Sequence, residues 1–255
     1  DNSGAIIGPL AASLLLYFFP RNYSNIFLWA TIPAILGVLT VIIFIKEEKA
    51  KRTTERPKIS LKQFPKKFYF FLVIIFVFTL GNSADALLLV KTSETGISES
   101  YIPFIYMIFN TVSVILAVPI GKLSDKIGRE KLITTGFLVY AIVYFCFGRF
   151  NHIGIFIMLF VLYGLYSALT DGNQKALISD IVGKDLKGTG YGLYHAVLGI
   201  TLLPASLIAG YLYDHVNSGA PFYFGSAMAL LATILIIVFT IVNRESIPVS
   251  DVSEN

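Results

Sequence analysis

The sequence predicts an all-α protein, a polytopic membrane bundle of eight transmembrane helices. Three observations carry that prediction. Of 255 residues, 55% are hydrophobic and 14% charged, whereas a soluble domain carries about 25% charged residues. The apolar residues fall in unbroken runs, such as residues 234–242, near the roughly 20 residues a helix needs to cross a bilayer. A membrane barrel would instead alternate polar and apolar positions in segments of about ten. Continuous runs therefore mean helices, which satisfy their own backbone groups in lipid. Finally, the basic residues sort by loop.

The first span covers 4–19 and the second 25–45. The chain opens on Asp1-Asn2-Ser3 with no Met, no charged leader and no small-residue cleavage site. That is no signal peptide; it reads as a cut into a longer protein. The third span, 68–90, follows a basic stretch at 46–67. The fourth and fifth spans lie at 101–120 and 132–148, and the last three at 153–173, 189–213 and 221–243. Pro103 and Pro221 fall in first turns, where proline is tolerated. Pro9, Pro33 and Pro204 lie inside spans, where neighbouring helices satisfy the freed carbonyls.

Seventeen of the twenty Lys and Arg residues fall in the loops 46–67, 121–131 and 174–188 or after the last span. Only Arg21, Lys91 and Arg149 fall on the other side. Strict alternation with positive loops inside puts both ends of the chain in the cytoplasm. The net charge of +4 thus belongs to a membrane surface, not to nucleic acid. The single Cys146 excludes an internal disulfide and a cysteine metal cluster. No phosphate-cradling G-x-x-x-x-G-K-[ST] loop and no His-Glu-x-x-His pair is present. The expectation is therefore no enzyme, no metal and no cofactor, with energy from an ion gradient or none.

An internal repeat suggests the domain plan. Setting Pro9 on Pro204 aligns the first two spans with the last two, each pair ending in a basic–acidic exit, Lys46-Glu47 and Arg244-Glu245. Parallel repeats are a transporter design. The reading is: 1–45, the last two helices of an N-terminal half; 46–67, a cytoplasmic interdomain loop; 68–243, a complete six-helix half; 244–255, a tail. Four helices would precede residue 1.

The loop Gly121-Lys-Leu-Ser-Asp-Lys-Ile-Gly-Arg-Glu-Lys131 closely resembles the signature of the major facilitator superfamily, G-x-L-[AS]-D-[RK]-x-G-[RK]-x-[RK]. Gly121, Ser124, Asp125, Lys126, Gly128, Arg129 and Lys131 match. A tight turn is expected there. Gly121 would let helix ends approach, and Gly128 would adopt a backbone that other residues resist. Asp125 can pair with Arg129 or face a helix N-terminus. By the family's pseudo-symmetry that N-terminus belongs to the first span, making a latch that breaks when the cytoplasmic side opens. Gly4-x-x-x-Gly8-Pro9 resembles the start of the antiporter motif of efflux members. Ala12 and Ser13 stand where its closing glycines belong, so the reading stays open between that motif and a small-residue packing face.

Polar residues within spans mark a path or a bundle interior. The candidates for cavity or coupling are Asn82, Ser83 and Asp85 in the third span, Asn110 in the fourth, Tyr163 and Asp171 in the sixth and His195 in the seventh. A carboxylate at membrane depth costs about 2.5–3.5 kcal/mol, so Asp85 is a proton acceptor or substrate contact, or else an interfacial tie. Tyr163, Tyr166, Ser167, Thr170 and Gln174 follow helical steps. Asp171, four before Lys175, reads as an intrahelical clamp. His195 is a titrating group near neutral pH or a hydrogen-bonded packing residue. Spans 2, 5 and 8 are nearly all apolar and are expected on the lipid side. The resemblance implies a plasma-membrane secondary transporter, monomeric when full length, for a small-molecule substrate, with protons as the coupling ion and efflux as the favoured direction. Uptake, facilitated diffusion and a non-transporting receptor are the alternatives.

Overall fold

The computed structural model describes residues 2–18, 23–44, 61–82 and 85–245. Most of the basic loop 46–67, the end of the tail, Asp1 and the candidate Ser83 lie outside them. Nine α-helices occur among the described residues. They are α1 (Asn2–Phe18), α2 (Tyr23–Phe44), α3 (Lys66–Gly81), α4 (Ala86–Ser93), α5 (Ile102–Ile127), α6 (Arg129–Arg149), α7 (Ile153–Ile181), α8 (Lys187–His215) and α9 (Ala220–Glu245). Pro103 and Pro221 sit in first turns, and Pro9, Pro33 and Pro204 inside helices. Among the described residues, six stretches are long and apolar enough to cross a membrane: Lys66–Ser93, which runs over residues 83 and 84, α5, α6, α7, α8 and Ala220–Asn243 of α9. The described apolar stretches of α1 and α2 are shorter, Ile7–Phe18 and Leu28–Ile43.

α6 packs along both α7 and α9. α5 lies on α7, α3 on α9 and α8, and α1 on α5. The core between them is aromatic. Phe68, Phe71 and Phe78 of α3 meet Phe137, Tyr140, Tyr144 and Phe147 of α6 and Phe222 and Phe239 of α9, all fully or nearly fully buried. Phe78 stacks on Phe137 at 4.1 Å and Tyr140 on Tyr144 at 3.9 Å. Lipid tails are as apolar as the side chains, so helix association relies on such packing and on close backbone approach. One close backbone approach joins α3 to α9: a Cβ on Gly225 would lie 2.5 Å from the Gly81 carbonyl oxygen, and one on Gly81 would lie 3.0 Å from that of Gly225.

Three expectations are corrected. The third span is not one helix. α3 stops at Gly81, Asn82 leaves helical geometry at φ −96°, ψ 84°, and α4 begins at Ala86. Gly and Asn are poor helix formers, and the carbonyl freed at Gly81 finds the Tyr140 hydroxyl at 3.2 Å. The fourth span continues to Ile127, so the glycine-bounded turn shrinks to one residue. Gly121 is interior to α5 with nothing within 4 Å of a Cβ; it brings no helix ends together. Gly128 alone turns the chain, at φ +95°. Lastly, α6 and α7 are the most buried spans and α5 and α8 the least. α6 keeps one exposed stripe, Lys131, Thr135, Leu138, Ile142, Phe145 and Arg149, and packs its other faces against its neighbours.

Candidate functional site

The break between α3 and α4 places Asp85 against two other helices. Tyr106 of α5 donates to Asp85 Oδ2 at 2.7 Å, and Tyr163 of α7 donates to Oδ1 at 2.8 Å. Tyr140 of α6 donates to the Gly81 carbonyl and, at 3.3 Å, to Asn82 Oδ1. Tyr140 also lies edge-on to Tyr166 at 4.8 Å, and Tyr163 stacks on Tyr166 at 5.3 Å. One half-buried carboxylate is thus held by phenols from two helices, inside a belt of tyrosines. Each of the two oxygens accepts a tyrosine hydroxyl. Hydrogen bonds to an ionised group are worth about 1.5–3 kcal/mol each. Asp85 thus ties the start of α4 to α5 and α7.

A second polar cluster lines a cavity of about 430 Å³ between α5 and α7, with Ser113, Gly121, Asp125, Arg129, Ser167 and Asp171 on its wall. Ser113 and Ser167 hydroxyls are 2.9 Å apart, and Ser167 donates to Asp171 Oδ2 at 2.6 Å. Thr170 reaches Asp171 Oδ1 at 3.4 Å. No ion pair forms between Asp171 and Lys175, so the expected clamp is replaced by two hydroxyls. Seryl and threonyl donors lie on the buried side of α7, whereas Lys175 is exposed.

The predicted latch pair is also rearranged. Arg129 does not bind Asp125. Its guanidinium is 2.5 Å from Asp180 of α7 and donates to the Ala176 carbonyl. With α5 helical to Ile127, Asp125 and Arg129 sit on opposite sides of the Gly128 turn. Asp125 lines the cavity and is exposed; Lys126 and Lys131 are exposed outside its lining, and Ser124 is buried. Gly4 and Gly8 of α1 face open space, with nothing within 4 Å of a Cβ. Farther along α1, Ser13 donates to the Ser100 carbonyl at 2.5 Å, in the turn Glu99–Tyr101 just before α5; Pro9 is half-buried. Asn110 donates to the Tyr106 carbonyl at 3.1 Å and does not reach Asp85. His195 is exposed, edge-on to the Tyr194 ring at 5.1 Å. It is not a buried packing residue; Tyr194 is, with its hydroxyl 2.6 Å from Gln174 Oε1.

Sequence reasoning missed Tyr106, Tyr140 and Asp180. The first two carried a signal: tyrosines in the middle of apolar runs must find partners. At the other end of the bundle, Lys91 is buried at 5% exposure. Its ammonium is 2.6 Å from Glu94 and 2.8 Å from Ser218. Tyr213 and Ser218 donate to the same Glu94 carboxylate, so α4 is fastened to the α8–α9 turn. Burial alone would raise the Glu94 carboxyl; hydrogen bonds from Lys91, Tyr213 and Ser218 and the Lys91 charge outweigh it and hold the carboxyl below its ordinary value.

A family model described as Major Facilitator Superfamily matches residues 70–254. The chain is 35% identical over 246 residues to an uncharacterized MFS-type transporter of Methanocaldococcus jannaschii, covering 93% of this chain and 61% of that protein. It is 25% identical over 165 residues to the quinolone resistance protein NorA of Staphylococcus aureus strain Mu50, covering 64% of this chain and 42% of that protein. The chain therefore spans about three fifths of the first relative's length and about two fifths of the second's.

Proposed function

The chain belongs to the major facilitator superfamily, and from that premise we propose that the whole protein is a secondary active transporter that moves a small organic solute out of the cell by alternating access, coupled to protons. The observation that carries this reading is Asp85: a carboxylate in a broken membrane helix, held by Tyr106 and Tyr163. Broken helices and intramembrane carboxylates are where secondary transporters place coupling groups. Protonation of Asp85 would weaken both tyrosine hydrogen bonds at once, loosening α4 from α5 and α7. The two protonation states would thereby favour different helix arrangements.

Asp125 and Arg129 serve the cytoplasmic closure in this reading, with Arg129 fixing the start of α6 to the end of α7 and Asp125 exposed for a contact outside the described helices. Efflux is supported by the Gly4…Pro9 resemblance and by the relative named for quinolone resistance. The test is Asp85→Asn in the whole protein in proteoliposomes. Substrate exchange at equal concentrations should persist while accumulation driven by a pH gradient disappears. Undiminished gradient-driven accumulation would end the proposal.

A further inference from the structure

Two grooves flank the end of α9 at which α3 and α6 begin. The first is lined by Lys66, Lys67 and Phe70 of α3 with Phe239, Val242 and Asn243 of α9, and holds about 270 Å³. The second is lined by Lys131, Thr134 and Thr135 of α6 with Ile237, Thr240 and Ile241 of α9, and holds about 310 Å³. Both have the same build: cations at the rim and apolar walls along the helix. All three lysines are exposed, and none is ion-paired with a described residue. Ile237, Ile241 and Val242 face outward at 44–56% exposure, on a helix long and apolar enough to cross a membrane.

A ligand that fits must bring hydrocarbon for the walls and negative charge for the rim. A soluble phosphate ester supplies only the second. A zwitterionic lipid carries its own ammonium, which competes with the lysines for the phosphate. An anionic phospholipid supplies both parts from the surrounding leaflet. We infer that the end of α9 is seated between two anionic phospholipids, one bridging Lys66 and Lys67 to α9 and the other bridging Lys131 to α9. The first lipid would staple α3 to α9, adding a tie at the opposite end of α3 from the Gly81–Gly225 contact. The inference needs only that these helices cross a bilayer; it is independent of substrate, direction and coupling.

The experiment uses the whole protein in phosphatidylcholine nanodiscs with a rising share of phosphatidylglycerol. Native mass spectrometry counts the phosphatidylglycerol retained. Each lysine near a headgroup should be worth about fivefold in retention. Lys66→Gln with Lys67→Gln should weaken one bound lipid about 25-fold, and Lys131→Gln the other about fivefold. Arginine at 66 and 67 should restore retention. Lys184→Gln with Lys187→Gln removes the same charge away from both grooves and should change nothing. Equal loss in that control would reduce the effect to general surface charge and overturn the inference. Unchanged retention in the 66/67 variant would overturn it too, as would inorganic phosphate displacing the lipid, since that marks a soluble ligand's site.

Discussion

Replacing Gly225 by alanine tests the contact that joins α3 to α9. The new Cβ would lie 2.5 Å from the Gly81 carbonyl oxygen and 2.7 Å from Tyr144 Cδ1, where ordinary contact begins at 3.4 Å. The deficit is about 0.9 Å against backbone, which no rotamer change relieves. α3 and α9 must separate, and the oxygen that moves is the one receiving the Tyr140 hydroxyl. Overpacking of this kind costs about 1–3 kcal/mol. The better helix propensity of alanine returns about 1 kcal/mol, but opposition on two sides places the cost at the upper end, leaving a net loss of about 2 kcal/mol. At about 2–4 °C per kcal/mol for a chain of this size, the Tm in detergent should fall by about 4–8 °C. Gly188→Ala, at a position with nothing within 4 Å, should leave the Tm unchanged or raise it. If Gly225→Ala melts at or above the parent, the close approach of α3 and α9 is wrong and the placement of the break at Asn82 loses its support.

The Glu94 cluster gives a pH-dependent expectation. Its carboxyl is held below the ordinary value of 4.5, so it contributes stability above that pH, and the contribution is lost as pH falls through the folded value. Melting temperatures should drop on acidification below about 4.5, and Glu94→Gln should flatten that slope; parallel slopes would contradict the cluster. The Arg129–Asp180 pair should prove weak. Their side chains are 27% and 55% exposed, and pairs so open to solvent contribute about 1 kcal/mol or less. A double-mutant cycle with Arg129→Gln and Asp180→Asn should give coupling in that range, and a value several times larger would refute this accounting.

The membrane class and the family were readable from sequence because each rests on local signals. Apolar runs, loop charges and the 121–131 signature do not depend on which helix neighbours which. Site residues were readable only where one element held them. Asp85 stood out because a carboxylate in an apolar run is conspicuous by itself. Its partners Tyr106 and Tyr163 are 21 and 78 residues away, and nothing local pairs them. The Arg129 partner failed for the same reason. Asp125 is four residues off in sequence, but Arg129 pairs with Asp180, which arrives from α7. The lipid-facing assignment of the fifth span used composition alone. Apolar side chains suit a lipid face and a protein core equally, so only the packing of α7 and α9 could separate them. The helix break did leave a trace, Gly81-Asn82-Ser83 in sequence, but the hydrophobicity on either side concealed it.

The turn at Gly128 has a mechanical corollary. Two helices of 26 and 21 residues meet through a single amino acid, without slack to take up a shift. If α5 tilts, the motion either drags α6 with it or is absorbed by two dihedral angles at that one position. Because α6 packs along the length of α7, α5 becomes the lever and the α6–α7 pair its fulcrum. A residue inserted after Gly128 would uncouple the two arms while leaving each helix intact.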